Sequence, residues 1–355
     1  MNRLNKLRNK FKADYDAMIV TDQKNIRYLC GFDYTDGCLL ITKERALLFC
    51  DFRYIEAAKK NAHPFFEIIM FSGKRSKWLA DALKDNEVAV LGYEDRHLTV
   101  SEYHRLSEDL PCVQLKGIGA VISELREYKD LSEFDNIIRA QRIAEKAFEH
   151  ILDFITPERT ERETALELEF EMRRLGADGI SFETIAVSGT ASSMPHGVPR
   201  DRKLEKGFLT MDFGAIYNGY CSDMTRTVCI GRANEEMKRV YNTVLEAQKR
   251  AIEGIKHGII CRDADALARD HINDMGYKGC FGHSLGHGVG MDIHEAPNLS
   301  PYALEKKLDT GHVVTCEPGI YLEGKYGVRI EDMLIFYPGT VVNITKSSKD
   351  LIEIY

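Results

Sequence analysis

Residues 208–230 read FLTMDFGAIYNGYCSDMTRTVCI, two apolar runs joined through Asn218-Gly219. An Asn-Gly pair between such runs is the strongest short-range hairpin signal and favours a type I′ turn. With that turn, Gly214 falls opposite Asp223, and Asp212 lies two residues along on the same face. Both carboxylates then project from one side of a single hairpin, with a glycine leaving room beside them. A second hairpin is expected in CEPGIYLEGKYGVRIED, residues 316–332. A three-residue turn at Glu323-Gly324-Lys325 sets Glu317 opposite Glu331, with a bulge expected at Pro318-Gly319.

Between the hairpins, GHSLGHGVGMDIHE (282–295) supplies His283, His287 and His294. His287 is the natural neutral-nitrogen ligand, because Gly286 and Gly288 let the backbone approach closely. Any one of these acids, taken alone, reads as part of a solvated face. Four carboxylates gathered in a partly dry cleft repel one another unless protonated or neutralised by cations. Two divalent ions would balance them, so Asp212, Asp223, His287, Glu317 and Glu331 read as the ligand set of a two-metal hydrolytic site. His283, His294 and the loop residue His196 (in MPHGVP) could face the same pocket as acid, base or oxyanion partners. Arg329, two before Glu331, could hold a metal-bound carboxylate or the substrate. Cys221 and Cys316 sit at odd offsets from ligands, which points them to the opposite face as core thiols.

The chain has 355 residues, which favours two domains. A net charge of −7 argues against nucleic acid or an anionic membrane as partner. The basic start (Arg3, Lys6, Arg8, Lys10, Lys12) lacks the apolar core of a signal peptide. No apolar run approaches the ~20 residues that span a bilayer. Nine cysteines without a CxxC favour reduced thiols and a cytoplasmic location. Residues 1–125 offer five strand candidates (DAMIV, CLLIT, RALLFC, EIIMF, EVAVLGYE) and helical periodicity near 3–12, 54–62, 75–84 and 99–108, a small α/β domain. It has no phosphate-cradling glycine motif, and His63, His97 and His104 are scattered without partners. From about 126 to 355 the pattern repeats: a long helix (131–155), a shorter one (161–175) and strands, then 234–254, 262–275 and strands. Capping boxes at Asp130/Glu133 and Thr160/Glu163 open the first two helices. The whole suggests an α+β domain of two αα-ββ halves related by a pseudo-twofold, with the site between them.

The ligand order Asp212, Asp223, His287, Glu317, Glu331 resembles that of the dinuclear pita-bread metallopeptidases. The match is closest to their proline-specific branch: His196 fits its loop histidine, His283, His287 and His294 its triple-histidine run, and Arg329 with Glu331 its R-x-E strand. Residues 1–125 are similar to a creatinase-type N-terminal domain. The resemblance implies a pita-bread catalytic domain, two divalent ions (manganese, with cobalt or zinc as alternatives), and a homodimer. It also implies hydrolysis of Xaa-Pro bonds, with a metal-bridging hydroxide as nucleophile. Glu317 would shuttle the proton, and His196 and His294 would stabilise the tetrahedral intermediate with Arg329 beside them. His283 would help line the substrate pocket. Xaa-Pro aminopeptidase is the first expectation and Xaa-Pro dipeptidase the alternative; an inactive scaffold serving as a binding module is a third, disfavoured because no ligand is missing.

Overall fold

The computed structural model describes residues 3–11 and 14–355, so Lys12 of the basic start lies outside the described residues. Two compact units divide the chain, Met1–Arg126 and Glu127–Tyr355. In the first, the strand candidates become five strands of a six-stranded sheet. Its order is Glu67–Met70, Ala46–Cys50, Cys38–Thr42, Ala17–Val20, Val90–Tyr93, Gln114–Gly117. The sixth, QLKG, escapes the periodicity because it is a half-exposed edge strand, with no apolar face to declare it. Gln23–Cys30 is a further helix, capped by Asp22, which accepts from the Asn25 N–H, and closed by Gly31 at φ 73°. His97 pairs with Asp22 at 3.1 Å.

The second unit carries the pseudo-twofold pattern. Leu131–Phe154 and Glu161–Arg174 pair with a sheet containing Ile185–Ser188, Gly207–Phe213 and Met224–Ile230. Glu235–Gly254 and Cys261–Ile272 pair with a sheet containing Gly286–Gly288, Glu295–Leu299, Val313–Cys316 and Asp332–Tyr337. Both capping boxes form. Each half has its own core: Phe148, Leu168, Met211 and Phe213 in the first, Val240, Val244, Val314 and Leu334 in the second. Each such side chain, fully buried, stabilises by ~1.5–3 kcal/mol, and together they fix the strands that carry the acidic residues. The helix expected over 262–275 ends at Ile272, and a π turn, Asn273–Tyr277, follows with Gly276 at φ 92°. Among the described residues, no helix is long and apolar enough to cross a membrane.

Arg226, 1 % exposed, stitches the two halves. It donates to the carbonyls of Thr225, Glu331, Ser347 and Ser348 and to Asp332 Oδ1, at 2.6–2.9 Å. Burial opposes ionisation of Asp332, but Arg226 and Lys349 outweigh it and hold the carboxyl below the usual aspartate range. The strand that follows Asp223 is thereby tied to the backbone of Glu331.

Candidate metal centre

The first hairpin turns where the Asn-Gly pair places it. Asn218 and Gly219 both have positive φ, 49° and 78°, as a type I′ turn requires. Tyr217 pairs with Tyr220 and Ile216 with Cys221; beyond a break, Phe213 pairs with Met224 and Asp212 with Thr225. The register is the same on both sides of the break, so Gly214 stands opposite Asp223. The room at Gly214 serves the backbone instead of the carboxylates: a Cβ there would meet the Ser222 carbonyl oxygen at 1.9 Å.

Across Glu323-Gly324-Lys325, Leu322 pairs with Tyr326 and Gly319 with Arg329. Past Pro318, Cys316 pairs with Asp332. The register again matches on both sides, so Glu317 faces Glu331 and the bulge expected at Pro318-Gly319 does not form. Proline costs one ladder bond there without adding a residue. The strand of His287 lies between its neighbours at unusually short range. A Cβ on Gly286 would fall 2.1 Å from the Thr315 carbonyl, and one on Gly288 2.2 Å from that of Ala296.

These elements bring all five expected ligands to one cavity of about 950 Å³. His287 Nε2 lies 3.5 Å from Asp223 Oδ2 and 3.4 Å from Glu317 Oε1. Ligand atoms of Asp223, His287 and Glu331 lie within 4.8 Å of one another. Thr225 donates to Glu331 Oε2 at 2.7 Å, Thr315 to Glu317 Oε1 at 3.2 Å, and Arg329 to Asp212 Oδ2 at 2.5 Å. The remaining oxygens Asp212 Oδ1, Asp223 Oδ1 and Glu331 Oε1 are buried without a hydrogen-bond partner. Orphaned carboxylate oxygens are costly, and a cation satisfies them, so this donor set fits divalent metal ions.

The electrostatics agree. Burial first, then mutual repulsion, raises Asp223 and Glu331 well above the usual carboxyl range. Burial likewise pushes Glu317 up to about 8, with Arg329 opposing and Asp212 reinforcing. Burial lowers His287 to about 4 and His283 to about 3, so both imidazoles are neutral at pH 7. A neutral imidazole is the ligating form. His287 Nδ1–H donates to the Gly288 carbonyl at 3.1 Å, which leaves Nε2 facing the acids.

His196, His283 and His294 also line the cavity. His196 and His294 are exposed to it, and the His294 ring packs edge-on to His287, centroids 4.4 Å apart. In His283, Nδ1–H donates to the Ser284 carbonyl and Nε2 accepts from the Tyr321 hydroxyl, both at 2.9 Å. Its ring nitrogens are therefore committed, with Nδ1 also 3.9 Å from Glu317 Oε2. Arg329 is 3 % exposed and bonds Thr225, Tyr321 and the Pro195 carbonyl besides Asp212, so it orients the Asp212 carboxylate and anchors the His196 loop. Cys221 and Cys316 are buried, the latter in the core of its half, and all nine cysteines are free. Thr225, Thr315 and Tyr321 were not foreseen. Each lies an even number of residues from a ligand on its own strand, so the alternation that places the ligands also marks these positions.

Two hairpins holding four carboxylates, with a histidine from the strand Gly286–Gly288 beside them, line one cavity in the manner of a metal-dependent hydrolase. The chain belongs to metallopeptidase family M24, whose sequence profile matches residues 135–337. The profile of the Creatinase/Prolidase N-terminal domain matches residues 3–128. An Xaa-Pro dipeptidase from Bacillus anthracis is 43 % identical and superposes with a TM-score of 0.95, over 99 % of this chain and 98 % of that one. The Xaa-Pro dipeptidase of Pyrococcus furiosus is 37 % identical over 95 % of each chain. The X-Pro aminopeptidase of Thermotoga maritima is 34 % identical with a TM-score of 0.91, over 96 % and 98 %.

Proposed function

We propose that this chain is an Xaa-Pro dipeptidase. The sequence put Xaa-Pro aminopeptidase first; the order is reversed because the more similar relatives reported above carry the dipeptidase name. The observation that supports it most is the 43 % identity and 0.95 TM-score to the Bacillus anthracis dipeptidase over nearly the whole chain. Asp212, Asp223, His287, Glu317 and Glu331 would hold two divalent ions, manganese by the family resemblance. Bound there, the ions would supply Lewis acidity and bring the pKa of a coordinated water toward neutrality. Glu317, which lines the cavity, would take a proton and return it to the leaving nitrogen. His196 and His294, exposed on the cavity, can donate to the developing oxyanion. Arg329 keeps Asp212 in place, and the His283 ring packs against the substrate. The prolyl nitrogen has no N–H, so selectivity falls to shape. A homodimer and a cytoplasmic location complete the proposal, the first by resemblance and the second supported by nine free thiols.

The test is an assay of the manganese-loaded protein on Gly-Pro, Gly-Pro-Ala and Met-Ala. Hydrolysis of Gly-Pro alone is expected. Cleavage of Gly-Pro-Ala at a comparable kcat/KM would return the aminopeptidase to first place.

A further inference from the structure

Arg162, Ala165, Leu166 and Glu169 line one wall of the cavity. Their spacing puts them on one face of the helix Glu161–Arg174. Arg162 opens that face. Its backbone N–H donates to the Arg200 carbonyl at 3.1 Å, beyond the loop whose His196 and Pro199 also line the cavity. The side chain is exposed and has no hydrogen bond or ion pair among the described residues.

The other strong cations nearby are committed. Arg329 holds Asp212 and Tyr321. Arg200 is forked onto Glu161 at 2.7 and 2.6 Å. Lys129, 1 % exposed at its side chain, pairs with Glu295 at 2.9 Å. A dipeptide with its scissile carbonyl at the acidic centre ends in a free carboxylate about one residue further on, roughly 3.5 Å of chain. That charge enters a cavity whose outer wall also carries Glu169 and Glu183, both of which repel it. Among the described residues Arg162 is the one lining arginine or lysine without a partner of its own, and its fork suits a carboxylate.

We propose that Arg162 binds the C-terminal carboxylate of the substrate and so favours dipeptides over longer or blocked peptides; this rests on the dipeptidase reading. In this role Arg162 acts on substrate binding and not on the reacting atoms.

The experiment compares Leu-Pro with Leu-Pro amide, which keeps the length and loses the charge, on manganese-loaded wild type, Arg162→Gln and Arg162→Lys. One charge-assisted hydrogen bond is worth roughly tenfold to a hundredfold in kcat/KM. Wild type should prefer the acid by about that factor, mainly through KM. Arg162→Gln should lose the preference while keeping its rate on the amide, and Arg162→Lys should recover part of it. An unchanged acid-to-amide ratio in Arg162→Gln, or an equal loss on both substrates, overturns the role of Arg162. Failure of the wild type to cleave either substrate instead overturns the dipeptidase reading itself.

Discussion

Stripping the metal should make stability fall with rising pH. The perturbation is chelation followed by dialysis at pH 5, 7 and 8.5. Glu317 is the group with a number: its carboxyl rises from the ordinary 4.5 to about 8, through burial and Asp212 against the pull of Arg329. A raised carboxyl costs nothing below the unfolded value, where both states are protonated. The penalty grows as pH climbs from 4.5 to about 8 and is constant above. At about 1.4 kcal/mol per pH unit, Glu317 alone removes up to about 5 kcal/mol from the metal-free catalytic unit, and about 3.5 by pH 7. Asp223 and Glu331 are shifted in the same direction, so they steepen the fall. The assay is urea unfolding followed by far-UV circular dichroism. Trp78, the one tryptophan, lies in the first unit and serves as an internal reference that does not sense the centre. Manganese should abolish the slope and restore stability, most at high pH, because ligation needs the deprotonated forms. Glu317→Gln should flatten the metal-free slope by about one proton's share. Metal-free stability that is level or rising between pH 5 and 8.5 would refute the electrostatic account of the centre.

Two further outcomes follow from contacts around the ligands. Thr225→Val keeps the shape but removes the donor to Glu331 and the acceptor for Arg329; manganese affinity should drop roughly 10- to 100-fold, read by competition with a chelator, and unchanged affinity would show the hydroxyl to be idle. Gly286→Ala drives a Cβ to 2.1 Å from a backbone oxygen. The obstacle is backbone and not the end of a flexible side chain, so about 1–3 kcal/mol should be lost in urea unfolding, and a loss under about 0.5 kcal/mol would show that the strands yield.

Local chemistry explains what was legible beforehand. Asn218-Gly219 and Glu323-Gly324-Lys325 set their hairpin registers by turn geometry alone, and counting outward from them placed two carboxylates correctly on each hairpin. The four main helices of the catalytic unit were legible for a similar reason, because amphipathic spacing is encoded within each segment and Asp130, Thr160 and Asn234 cap the starts of three of them. What escaped depends on neighbours distant in the chain. The QLKG strand is defined by the strand it pairs with, Val90–Tyr93, and the space at Gly214 is filled by Ser222 from across the hairpin. The bulge at Pro318 was wrong because a proline can lose its ladder bond without shifting register. The tie between His283 and Arg329 runs through a tyrosine hydroxyl, and side-chain direction beyond Cβ is set by packing that no spacing rule contains.

The hydrogen-bond pattern of the acids shows why such a repulsive cluster is built at all. Asp212 gives one oxygen to Arg329 and leaves the other bare; Glu331 gives one to Thr225 and leaves the other bare. In Asp223 one oxygen lies toward His287 and the other has no partner. Each donor thus fixes a carboxylate's orientation while sparing the lone pairs that face the cavity. A second donor on each acid would relieve the metal-free protein, and would also occupy the positions a cation needs. Arg329 illustrates the balance, since a buried guanidinium supplies one positive charge yet reaches Asp212 at a single oxygen. The metal-free penalty and the affinity for metal are therefore two faces of one arrangement: every kcal/mol of repulsion held in place by Thr225, Thr315 and Arg329 is released when cations bind. It follows that removing a donor should weaken metal binding and also deepen the metal-free penalty, because Arg329 and Thr225 both favour the ionised acids, whereas removing a carboxylate should stabilise the metal-free protein outright.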